Sequence, residues 1–117
     1  MDVQELSAAL GKRILKFEEE EMGARPSGVM VMVEQDLVLV HIKEMLSPSE
    51  KTLARTETGQ ALLQRFNNLL FNEGSVPSIK DQVAQTLKKK VLDVQTSLSP
   101  LTGSLVVVFM LEGAVDA

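Results

Sequence analysis

Residues 28–45 read GVMVMVEQDLVLVHIKEM, and the way this stretch is taken decides the fold. Its apolar residues do not recur every three or four positions, as one face of a helix requires. They form two valine-rich blocks, and β-branched side chains suit a pleated strand. Glu34, Gln35 and Asp36 between the blocks are few enough for a hairpin turn, which predicts two antiparallel strands. In the first block Val29, Val31 and Val33 share one face, and Met30 and Met32 share the other, so both sides are apolar. That pattern predicts an interior strand, covered twice or turned toward a partner subunit.

Outward from this hairpin, the pattern changes period. From Val3, the residues Leu6, Leu10, Ile14 and Phe17 fall on one helical face, and the helix is expected to end near Gly23. At the far end, VLDVQTSL (91–98) alternates Leu92, Val94, Thr96 and Leu98 against Asp93, Gln95 and Ser97, while SLVVVFML (104–111) is apolar throughout. These predict a half-exposed strand and a buried one, joined by the turn SPLTG (99–103).

The middle of the chain is helical. Ser47 suits an N-cap, Pro48 the first helical position, and Glu50 can return a hydrogen bond to the cap. At 100° per residue Leu53 lies about 180° from Leu62, so one straight helix cannot bury both Leu53 and a stripe of Leu62, Phe66, Leu69 and Leu70. A break is predicted. Thr56 or Thr58 can cap the second helix, Glu57 favours its first turn, and Gly59 relaxes the backbone at the bend. A third helix is expected to start between Ser75 and Ser78, with Pro77 in its first turn, a buried stripe of Ile79, Val83 and Leu87, and Lys88, Lys89 and Lys90 at its close. The order α-β-β-α-α-α-β-β predicts an α+β fold: a four-stranded, mainly antiparallel sheet with helices on one face. The whole chain, residues 1–117, reads as a single domain.

Composition bounds the function. Sixteen acidic residues against twelve basic ones give a formal net charge of −4, so no general attraction to nucleic acid or anionic lipid is expected. The absence of cysteine rules out disulfides and thiolate metal sites and suits a cytoplasmic protein. The N-terminal segment has early charges and no unbroken apolar run, so neither a signal peptide nor direct membrane insertion is expected. Glu18 to Glu21 are expected to form a solvated face, and the three lysines to favour a helix C-terminus. His41, the single histidine, is expected on an edge strand, facing solvent or a polar neighbour. The motifs GxSxG, GxxxxGK[ST], HExxH and GxGxxG are all missing, and Glu50 and Glu57 already have capping roles. The reading is of a non-enzymatic protein with no cofactor and no metal site.

Several segments together resemble the MpsC-like family, a domain of unknown function linked by name to a membrane-potential-generating, bicarbonate-uptake system. They are GARP (23–26), DLVLVHIKEMLSPSEKTL (36–53), TETG (56–59) and VVVFMLE (106–112), and the resemblance is strongest over residues 14–112. Leu46, Ser47, Glu50, Lys51 and Gly59 fall on positions of the family pattern, and Arg65 matches more loosely. KKKVLDV (88–94) and SLSPLTG (97–103) depart from it. The resemblance implies an accessory or regulatory role and brings no catalytic residues with it. The expected recognition surface is the polar elbow, with Arg25, Glu50, Lys51, Arg55, Gly59 and Arg65. Met30, Met32, Val106, Val108 and Met110 are the residues expected to bury the sheet's second face in a homodimer, and a membrane protein is the expected partner. The alternative is a small-molecule sensor that grips bicarbonate or a nucleotide phosphate with Arg25, Lys51 and Arg55.

Overall fold

Both hairpins form where the valine-rich blocks place them. The computed structural model describes residues 2–20, 22–73 and 78–115. Its elements are α1 (Val3–Glu20), β1 (Gly28–Glu34), β2 (Leu37–Lys43), α2 (Pro48–Leu53), α3 (Glu57–Glu73), α4 (Ile79–Leu87), β3 (Val91–Ser99) and β4 (Ser104–Leu111). The α+β order is the expected one. α1 stops at Glu20, short of Gly23, and Gly23 takes a positive φ of 64° just beyond it. Ser78 caps α4 by accepting a hydrogen bond from the Asp81 N–H at 3.0 Å; Ser75 and Pro77 lie outside the described residues.

The strands run antiparallel in the order β1-β2-β4-β3. Helices pack on one face only, where Val38, Val40, Ile42, Leu105, Val107 and Phe109 are fully buried. Phe71 from α3 links this face to α1: its ring meets Phe17 edge-on at 5.7 Å and Phe109 at 6.5 Å between centroids. Strand order corrects two expectations. β1 is an edge strand, not an interior one, and β2, which carries His41, is an inner strand. Local composition cannot separate these cases, because what sits beside a strand is set by the chain's return from residue 104 onward.

In β3 the alternation shifts. Val91 pairs with Leu111 and Asp93 with Met110, leaving Leu92 as the extra residue of a bulge. Val91 and Val94 are therefore the buried positions, and Leu92 is exposed. The outer edge of β3 is closed by α3. The Gln64 side-chain amide donates to the Thr96 carbonyl and accepts from the Leu98 N–H at 2.7 Å, and Asn72 donates to the Val94 carbonyl at 3.4 Å. These amides take up backbone groups that an edge strand otherwise offers to another chain.

The helical break falls as predicted, but its glycine serves another purpose. Thr56 caps α3, its hydroxyl accepting from the Gly59 N–H at 3.0 Å. A Cβ on Gly59 would stand 1.7 Å from the Leu53 carbonyl oxygen. Gly59 has a buried position and no positive φ, so close approach of α2 to α3, not conformational freedom, requires it there.

α3 also turns a different side to the core than its apolar stripe predicts. Gly59, Leu63, Asn67 and Phe71 are buried and Leu70 is half-buried, while Leu62, Phe66 and Leu69 are exposed. The buried residues follow one another at four-residue steps, the same period as the rejected stripe.

Candidate functional site

Two surfaces emerge from this arrangement: the elbow between β2 and α3, and the sheet face that carries no helix. At the elbow, the backbone of Met45 donates to the Gly103 carbonyl at 2.8 Å, which ties the exit of β2 to the β3–β4 turn. Ser47 and Glu50 then close a full capping box: the Glu50 N–H donates to the Ser47 hydroxyl at 3.2 Å, and the Ser47 N–H donates to Glu50 Oε1 at 2.9 Å. A cap of this kind is worth about 1 kcal/mol. The carboxylate of α2's own Glu50 thus occupies the Ser47 N–H at the start of the helix.

The proposed recognition residues are spread over this corner. Arg25 lines a cleft of about 260 Å³ together with Gly23, Ala24, Glu44, Met45, Leu46, Ser47 and Pro48. Lys51 and Arg55 are exposed on α2 and the turn after it, Glu50 is half-buried in the cap, and Gly59 is buried in the first turn of α3. Arg65 is exposed farther along α3. The cleft lining takes in Arg25 but not Lys51, Arg55 or Arg65.

Glu18 is a finding that the sequence reading missed. The expected solvated run is exposed at Glu19 and Glu20, but Glu18 has 0% of its surface open to water, and neither carboxyl oxygen has a hydrogen-bond partner among the described residues. Burial raises its pKa to about 7, and the nearby charge of Glu50 adds to the shift. A buried acid therefore lies in electrostatic contact with the carboxylate that caps the elbow. The signal was in the spacing: Leu10, Ile14 and Glu18 continue one stripe in steps of four.

The second surface is the sheet face turned away from the helices. Strand register places its side chains in three rows: Met30, His41, Val106 and Ser97; Met32, Leu39, Val108 and Gln95; and Glu34, Leu37, Met110 and Asp93. All five residues expected to mediate self-association, Met30, Met32, Val106, Val108 and Met110, lie on it. Met32 keeps 54% of its surface exposed, Met30 and Leu37 43% each, and Leu39 36%. His41 stands half-buried between Met30 and Val106. With strands about 4.8 Å apart and residues rising about 3.3 Å, the face covers roughly 20 by 20 Å. Its apolar part, on β1, β2 and β4, is of the order of the largest patch a monomer carries, and such patches often mark interaction sites.

These features define a two-layer α+β domain with one bare apolar sheet face and a capped helical elbow. The sequence profile of the MpsC family, described as a Na+-translocating membrane potential-generating system, matches residues 2–113. The chain belongs to the MpsC family. That match takes in all of α1, more than the span over which the resemblance is strongest. Among curated proteins, it is 26% identical over 106 residues to an uncharacterized protein, YbcI, of Bacillus subtilis strain 168, covering 91% of this chain and 85% of that one. No solved structure matches it. No helix among the described residues is long and apolar enough to cross a membrane.

Proposed function

We propose that this chain is a non-enzymatic accessory or regulatory component that assists a membrane system generating membrane potential, and through it inorganic-carbon uptake. It works as a self-associated unit in the cytoplasm, without a cofactor, and engages a membrane protein through the elbow. The observation that carries the reading is the bare sheet face, where Met32, Leu39 and Val108 form an apolar row across three adjacent strands. Such a face is stabilised by association, because closing it removes apolar area from water at about 25 cal/mol per Å². The family description supplies the kind of system served.

Sedimentation tests the self-association. The wild-type chain is expected to sediment as a dimer at tens of micromolar, about the range of a modest apolar interface. Met32→Lys is expected to raise the dissociation constant at least about tenfold, since a buried unpaired charge costs more than 1.4 kcal/mol. Met32 is exposed on an edge strand, so at concentrations below the wild-type dissociation constant its lysine variant keeps the wild-type melting temperature. A wild-type monomer at high micromolar concentration removes the support for this reading. Recognition at the elbow is tested separately, by capture from native membranes with the wild type and a Lys51→Glu, Arg55→Glu variant. Equal recovery of a membrane protein by both would reject the elbow as its site.

A further inference from the structure

We infer that the occupant of the bare sheet face is a second copy of this chain, related by a two-fold axis that lies in the contact plane and runs across the strands. The inference rests on the self-association proposed above and specifies its geometry. A two-fold pair of sheets packed face to face has its axis in the contact plane, running either along the strands or across them, apart from the usual twist of about 30° between packed sheets. The side chains on the face separate the two choices.

An axis along the strands lays β1 of one copy over β3 of the other, and each row over itself. Met30 and Met32 then rest on the polar Ser97 and Gln95, and Glu34 meets the partner's Asp93, a like-charge contact. An axis across the strands, set between the first and second rows, lays each strand over its own copy and exchanges those two rows. Met30 then covers the partner's Met32, Val106 covers the partner's Val108, and Ser97 meets the partner's Gln95. Within these two rows the β1 and β4 contacts are apolar on apolar and the β3 contact polar on polar, while on β2 His41 covers the partner's Leu39. Lys43, opposite Gly28 beyond the first row, comes over the partner's Leu37 beside the partner's Glu34, so the charged ends attract.

The area is adequate for a specific pair. Each face offers about 400 Å² of flat footprint, before side-chain relief is counted. Two such faces give about 800 Å² of flat footprint, and side-chain relief raises the area removed from water toward the roughly 1,000 Å² of a specific interface. The β3 edge is already blunted by Gln64 and Asn72, so extension of the sheet at that end is disfavoured and the face is left as the larger apolar surface to cover.

Cross-linking decides the geometry, and a chain without cysteine gives it a clean background. Val106→Cys and Val108→Cys proteins are made separately, mixed and oxidised. The expected result is a mixed 106–108 disulfide, several times more abundant than either self-product. Val106→Cys mixed with His41→Cys reports the other axis, and a dominant product there overturns the inference while leaving self-association intact. A dimer in sedimentation that forms neither product places the contact elsewhere and also overturns it. A monomer in sedimentation overturns the self-association reading itself. Val→Cys is a conservative change at half-buried positions, and the unfolding curve of each variant confirms that it folds.

Discussion

Gly59→Ala is expected to lower the melting temperature by roughly 10 °C or more. A methyl group there would stand 1.7 Å from the Leu53 carbonyl oxygen and 2.6 Å from its carbon. Both are backbone atoms, held by the Thr56 N–H to Leu53 hydrogen bond and by the Gln60 side chain on the next carbonyl, that of Ala54. The neighbour cannot rotate away, so α2 and α3 must separate and part of the core around Ala54 and Leu63 must reopen. Overpacking of this kind costs about 3 kcal/mol at the upper end of its usual range. For a domain of this size about 3 kcal/mol corresponds to the stated loss in melting temperature. Gly11→Ala is the control. Its Cβ would meet Val31 at an ordinary 3.7 Å in mid-helix, so it should stabilise by about 0.5–1 kcal/mol through helix propensity. Equal melting temperatures for the Gly59→Ala variant and the wild type would show that the elbow is not closed as described.

The second large effect is a loss of stability as pH rises. Glu18 has an ordinary value of 4.5 and is held at about 7 in the folded protein, first by burial and then by Glu50. Between these values the native state keeps a proton that the unfolded chain has released. The folded state therefore binds more protons across that window, and unfolding free energy falls as pH rises through it. The interval corresponds to about 3 kcal/mol, fully lost above pH 7. Urea unfolding at pH 4 and pH 8 reads the effect most clearly as a difference between the wild type and Glu18→Gln, because contributions common to both proteins cancel. The variant is expected to match the wild type at pH 4 and to be more stable by about 3 kcal/mol at pH 8. A constant difference at both pH values would mean that Glu18 carries no buried proton. Since Glu50 both raises the Glu18 value and holds the Ser47 cap, the same titration bears on the corner proposed to recognise the membrane partner.

Much of this corner was legible in the residues themselves. Ser47, Pro48 and Glu50 specify a helix start through local hydrogen bonds, and Thr56 specifies another, so the break between α2 and α3 could be read without knowing what packs around it. What escaped was the side of each element that faces inward. Leu62, Phe66 and Leu69 make the greasier stripe of α3, but the helix buries Leu63 and Phe71 with Gly59 and Asn67 between them. The close approach at Gly59 fixes the rotation of α3, and its rotation decides which apolar residues are left in water. Gln64 and Asn72 likewise look like ordinary surface amides until β3 lies beside them.

The elements, their order, the capped elbow and a sheet apolar on both sides with helices on one of them could all be read from residues close in the chain, because period, capping and turn chemistry act over a few neighbouring positions. Packing between distant segments makes β1 an edge, buries Glu18, and turns Leu63 and Phe71 of α3 inward in place of Leu62 and Phe66. Those outcomes depend on which distant segments meet, and above all on β4 returning between β2 and β3, which no local pattern of side chains encodes.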